Sequence, residues 1–126
     1  MLDKTFKKEE RLSGKLAVSK LFTSGKSFFL HPFLVYYISH DPSVNLSENR
    51  ILITVSKKNY KRAVHRNLLK RRIREAYRIL KPEMAALLND KHYDVGLVYI
   101  SKEIHSFDFI RSKMKKLLDK MAEGNE

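Results

Sequence analysis

Ala63-Val64-His65-Arg66-Asn67-Leu68-Leu69-Lys70-Arg71-Arg72-Ile73-Arg74-Glu75-Ala76-Tyr77-Arg78-Ile79-Leu80 contains neither glycine nor proline, and its apolar residues recur with the period of a helix. At about 100° per residue, Leu69, Ile73, Ala76, Tyr77 and Leu80 share one side, while Asn67, Lys70, Arg71, Arg74 and Arg78 cluster on an arc beside it. The spacing predicts a helix that packs with one face and offers hydrogen-bond donors on the next. Pro82 is expected to close it, because proline lacks the amide that would continue the ladder.

The charge of this helix is unusual. From Lys57 to Lys81 there are 11 basic residues (Lys57, Lys58, Lys61, Arg62, Arg66, Lys70, Arg71, Arg72, Arg74, Arg78, Lys81) against Glu75 alone, so the segment carries ten of the chain's twelve net positive charges. Solvated helix faces mix signs, because like charges three or four residues apart repel by a few tenths of a kcal/mol. Lys61, Arg62 and Arg66 also gather at the helix N-terminus, whose partial positive charge disfavours cations by roughly 0.3–1 kcal/mol each. Helix stability does not favour this arrangement; binding of a polyanion does. Arginine forks onto phosphate and stacks on bases, and Asn67 can read a base edge or a ribose hydroxyl. Glu75 is expected to pair with Arg71, Arg72 or Arg78 on its own helix.

Working outward, Phe33 to Ile38 and Ile51 to Val55 read as two strands, expected to form an antiparallel pair across the loop His40 to Asn49. Ser13, then Leu16, Val18, Leu21 and Phe22, reads as a short amphipathic helix ended near Gly25. Tyr93 to Ile100 is a third, mostly apolar strand. Ser106 caps a last helix, whose Phe107, Ile110, Met114, Leu117 and Met121 form one stripe. The order helix, strand, strand, helix, strand, helix gives an α+β sandwich of two layers.

At 126 residues, with 43% hydrophobic residues, seven Phe and six Tyr, the chain can bury one core, and a single domain over 1–126 is expected. A net charge of +12 and a pI near 10 point to nucleic acid. The charged start, Met1 to Glu10, lacks the apolar centre of a secretory signal, and no apolar run approaches the roughly 20 residues that cross a bilayer. A soluble, cytoplasmic protein is expected. With no cysteine, disulfides, thiolate metal sites and a Cys nucleophile are excluded. The five histidines (His31, His40, His65, His92, His105) lack metal-ligand spacing. An independent nuclease would need clustered carboxylates or a His acid–base pair, and the sequence shows neither. A helix-turn-helix would need a second helix just before Ala63, where strand-like Ile51 to Val55 stands instead. What remains is binding of RNA, and composition leaves open a purely structural RNA-binding protein such as a ribosomal protein.

Ser56-Lys57-Lys58 followed by Ala63 through Glu75 resembles the central motif of the bacterial ribonuclease P protein family. The likeness extends to Arg11-Leu12, Phe22, Tyr36, Arg50 to Ser56 and Tyr93-Asp94, nearly the whole chain. It departs at Leu68, where the family's Arg-Asn-Arg reads Arg66-Asn67-Leu68, and at Val18, where an aromatic residue is usual. The resemblance implies a four-stranded sheet with helices on it, similar to the second domain of ribosomal protein S5, with an unusual left-handed βαβ crossover through the basic helix. It implies that an RNA subunit carries catalysis with its Mg²⁺ ions. The protein, non-catalytic by itself and binding no cofactor alone, is then expected to join that RNA as a monomer and grip the 5′ leader of precursor tRNA. Carried over by position, Lys57, Lys58, Arg62, Arg66, Asn67, Lys70, Arg71 and Arg74 are the RNA-binding set. Val18, Phe22, Tyr36 and Thr54 form the leader cleft between the first helix, the sheet and the basic helix. Phe22 can equally be a core residue.

Overall fold

The computed structural model describes residues 15–40, 50–88 and 92–123. The motif at Arg11-Leu12, the start of the first helix at Ser13 and most of the loop His40 to Asn49 lie outside the described residues. Among these described residues three helices, α1 (Lys15–Ser24), α2 (Ala63–Leu88) and α3 (Phe107–Glu123), combine with four strands, β1 (Lys26–Leu30), β2 (Phe33–His40), β3 (Arg50–Val55) and β4 (His92–Tyr99). The sheet order is β1-β2-β4-β3. Among the described residues no helix is long and apolar enough to cross a membrane.

The topology corrects one expectation. β2 and β3 are not partners: β2 pairs antiparallel with β1 and β4, and β3 pairs parallel with β4 alone. The reason lies in β4, whose Tyr93, Asp94, Val95, Gly96 and Leu97 are all buried, so it belongs in the middle of the sheet. β1 escapes the periodicity reading because it is five residues long and begins Lys26-Ser27.

Alternation divides the sheet cleanly. Phe33 and Val35 of β2, Ile51 and Val55 of β3, and Val95, Leu97 and Tyr99 of β4 pack with Leu69, Ile73, Ala76 and Tyr77 of α2 and Ile110, Met114, Leu117 and Met121 of α3. The residues between them, Leu34 and Tyr36, Leu52 and Thr54, Gly96 and Val98, therefore face the other side.

Helix α2 runs through Pro82 to Leu88 rather than stopping before the proline. Proline inside a helix costs about 3 kcal/mol. Glu-Met-Ala-Ala-Leu-Leu after it are strong helix formers, Met84 is buried in the core, and Lys115 Nζ on α3 meets Glu83 Oε2 at 2.8 Å. Helix α3 begins as expected: Ser106 Oγ accepts from the Phe109 amide at 3.2 Å.

Gly25 joins α1 to β1. Its N–H donates to the Leu21 carbonyl at 3.0 Å, and a Cβ there would fall against that same oxygen and 3.0 Å from the Tyr37 carbonyl. Because both obstacles are backbone, Gly25→Ala is expected to cost about 1–3 kcal/mol, read as a lower urea midpoint at unchanged slope.

Candidate nucleic-acid interface

The cations lie where strand β3 gives way to helix α2, and along that helix. Ser56 organises the connection: its carbonyl accepts from the Tyr60 amide at 3.0 Å, and its hydroxyl accepts from the Lys58 amide at 3.1 Å. Lys57, Lys58 and Arg62 are exposed on this turn. The Arg62 carbonyl accepts the first helical bonds of α2, from His65 and Arg66. No acidic residue occupies the first turn. The N-terminal amides thus face solvent amid like charge, a setting that attracts anions.

The eleven basic residues then divide by what they touch. Arg72 Nη1 donates to the His105 carbonyl at 2.6 Å, holding the segment before α3 against α2. Arg78 forks onto Glu75, one of the three arginine partners the sequence allowed; the hydrogen bond from Arg78 holds the Glu75 carboxyl below its usual range and raises Arg78 in turn. Arg66 lies at the edge of the set: its Nη1 donates to the carbonyls of Tyr60 at 2.7 Å and Lys61 at 2.9 Å, so it staples the β3–α2 turn. The side chains of Lys57, Lys58, Arg62, Asn67, Lys70, Arg71 and Arg74 have no partner among the described residues. With Lys61, also exposed and without a side-chain partner among the described residues, seven cations of one sign are what remains for an outside anion.

The turn is braced from behind. Tyr60 Oη donates to the Ser101 carbonyl at 2.8 Å, and Tyr99 Oη donates to the Glu103 carbonyl at 2.6 Å. Burial raises both phenols, with the neighbouring Glu103 adding to the effect, so both remain protonated donors at neutral pH.

Val18, Phe22, Tyr36 and Thr54 fall on the sheet face away from α2 and α3. Helix α1 lies over β4 at Gly96, where a Cβ would come within 2.9 Å of Leu21 Cδ2 and 3.8 Å of both Phe22 Cζ and Tyr36 Cβ. Leu21, fully buried, is the anchor. Phe22 stays 39% exposed, with its ring edge-to-face on Tyr36 at 4.7 Å. It is therefore a surface aromatic and not core. Val18, one turn earlier, is half-buried on the same side of α1. Thr54 pairs with Val98, two register positions from the Tyr36–Gly96–Leu52 row and so on the same face. Helix α2 does not wall this cleft, since its apolar stripe packs on the opposite face; the two groups approach each other through the β3–α2 turn, where Thr54 is followed by Lys57 and Lys58.

Sequence reasoning passed over Gly96, which the apolar run Tyr93 to Ile100 conceals, and the Arg50–Asp94 pair. Arg50 Nε and Nη2 reach Asp94 Oδ1 and Oδ2 at 2.8 and 2.7 Å across the parallel β3–β4 register. A lone acid within an apolar strand was its available signal. Among the described residues no three His, Asp or Glu side chains gather as a metal site.

The family model for ribonuclease P matches residues 6–122. A ribonuclease P protein component of Porphyromonas gingivalis is 33% identical over 121 residues, covering 94% of this chain and 86% of the relative. One of Chlorobium phaeobacteroides is 32% identical over 130 residues, covering 90% and 86%. The solved ribonuclease P protein from Thermotoga maritima superposes with a TM-score of 0.70 at 28% identity, over 88% of this chain and 96% of that one. A Staphylococcus aureus ribonuclease P protein mutant gives 0.71 at 26% identity, over 92% and 90%. With a matching family model over nearly its full length and the same α+β fold, the chain belongs to the ribonuclease P protein family.

Proposed function

We propose that this chain is the protein subunit of a ribonuclease P that removes the 5′ leader from precursor tRNA, and that it acts by binding rather than by chemistry. The observation that supports this most is the run of cations without a partner among the described residues, Lys57, Lys58, Arg62, Lys70, Arg71 and Arg74, on the β3–α2 turn and α2. Asn67 among them adds a donor and an acceptor for base edges or ribose hydroxyls. Arg66 keeps the turn in shape and leaves its remaining donors for phosphate. This surface takes the catalytic RNA; the Phe22–Tyr36 cleft, bordered by Val18 and Thr54, takes the unpaired leader by stacking, for about 1–3 kcal/mol per base. The hydrolysis and its Mg²⁺ ions belong to the RNA. The protein's contribution is to hold the precursor in register and to lower the repulsion between two polyanions. It joins the RNA as one copy, in the cytoplasm.

The test is cleavage of a precursor tRNA by a bacterial ribonuclease P RNA at low millimolar Mg²⁺, with the protein, without it, and with the protein alone. Correct 5′ maturation only when both are present is the expected result. Tight RNA binding without stimulation would mark a structural RNA-binding protein, and cleavage by protein alone would overturn the assignment of catalysis to RNA.

A further inference from the structure

At the end of the sheet where β1 turns into β2, rings from distant parts of the sequence form a line. Phe29 of β1 pairs with Leu34, which makes it the diagonal neighbour of Tyr36 on the cleft face, about 7–8 Å away. Its ring is 56% exposed. His31 follows at 6.5 Å from Phe29, His105 at 5.3 Å from His31, and Phe109 lies stacked on His105 at 4.0 Å and 17°. Lys113 Nζ stands 5.3 Å over the Phe109 ring.

We propose that this strip, in which Phe29, His31 and Phe109 are backed by His105, only 12% of whose side chain is exposed and whose Nε2 lies 3.2 Å from Ser101 Oγ, is a second binding surface for unpaired RNA, continuing the path that begins at Phe22 and Tyr36. It rests on the function proposed above and extends the length of single strand the protein holds.

Three observations support it. First, the strip is fixed in advance. The Ile100 amide donates to the Pro32 carbonyl at 3.0 Å, the His105 amide to Tyr99 Oη at 3.2 Å, and Arg72 holds the His105 carbonyl, so a strand meets rings already in place. Second, three of the six exposed large apolar side chains among the described residues, Phe29, Ile100 and Ile104, belong to this end; a surface that gathers them is built to be covered. Third, the charge suits RNA. Asn59 Nδ2 lies 3.5 Å from the Ile100 carbonyl, which brings the turn bearing Lys57 and Lys58 to the same end, and Lys102 and Lys113 add to them. Glu103 and Asp108 are the acids nearby, Glu103 Oε2 lying 3.8 Å from His105 Nε2. Protein interfaces are depleted in lysine at their centres, whereas rings interleaved with lysines are the pattern of single-strand binding.

The experiment measures affinity of the full chain for two unstructured RNAs, a CACA tetranucleotide that fills the cleft alone and a dodecanucleotide of the same repeat that reaches past it. Phe29→Ala with Phe109→Ala, and separately His31→Ala at an exposed ring, are expected to leave tetranucleotide binding unchanged and to weaken the dodecanucleotide at least about fivefold. If both variants bind the dodecanucleotide as the parent does, while Phe22→Ala with Tyr36→Ala weakens both RNAs, the extension is wrong and the cleft reading stands. If the parent binds neither RNA, the cleft reading fails and takes the extension with it. Should Phe109→Ala unfold the chain, photocrosslinking a thiouridine-bearing dodecanucleotide to the parent decides: adducts at Phe29, His31 or Phe109 support the strip, and adducts confined to Phe22 and Tyr36 overturn it. A parent dimer dispersed by Phe29→Ala with RNA binding intact would assign the strip to a second copy and overturn the proposal as well.

Discussion

Changing Lys70, Arg71 and Arg74 together to alanine is expected to weaken binding of ribonuclease P RNA by on the order of a hundredfold at about 0.1 M salt, with almost no effect on thermal unfolding. The magnitude follows from counterion release: each phosphate neutralised contributes about 0.7 to 0.9 to the log–log salt slope, so removing three cations flattens the slope by roughly 2 to 3. Stability is spared because these side chains have no partner among the described residues, and surface changes of that kind fall within about 0.5 kcal/mol. Titrations across a salt series check both numbers. An unchanged slope would show that α2 does not face RNA. Arg66→Ala is the informative contrast, for it frees the Tyr60 and Lys61 carbonyls and so disturbs the turn along with the charge.

The second large effect is on stability. Arg50→Ala is expected to destabilise the fold by about 3 kcal/mol, the low end for breaking a buried ion pair, which for a chain of this size lowers Tm by about 10 °C. The low end applies because Arg50 keeps 22% of its side-chain surface in water while Asp94 keeps 8%. The damage comes from leaving the Asp94 carboxylate inside without its guanidinium, not from losing the attraction itself. Replacing both residues by valine should therefore recover much of the loss, since apolar side chains of adequate volume can fill such a site. Urea unfolding of the two variants side by side measures this. A loss below about 1 kcal/mol for Arg50→Ala would mean that water reaches Asp94 and that the pair contributes little to the sheet.

The basic helix was legible because its two faces are written in one local period, and α3 because Ser106 and a clean apolar stripe announce it. What escaped was non-local. Nothing within Ile51 to Val55 says that its neighbour is β4, since pairing depends on which strand is buried on both faces, and β4 comes after α2. Pro82 read as a stop because the local rule is a strong one; the burial of Met84 outweighs it, and a window on the sequence cannot see that burial. In the candidate interface, residue types fixed where the cations are and could not tell their employment apart. Arg66, Arg71, Arg72 and Arg78 look alike in sequence, and three of the four hold carbonyls or a carboxylate of the chain itself. His31 and His105, scattered in sequence, come within 5.3 Å of each other because the β1–β2 turn and the segment before α3 share one end of the sheet.

The central place of β4 also bears on how the protein is made. Ribosomes add about 5–20 residues per second, so several seconds separate the emergence of β2 from that of the strand that must lie beside it. During that interval the β1–β2 hairpin presents an open apolar edge, Phe33 and Val35 included, of the kind that invites pairing with other chains. The sheet cannot close until β4 has emerged, nor the core until α3 has followed it, which makes nascent-chain protection, and not the finished fold, the step at which this small protein is most vulnerable.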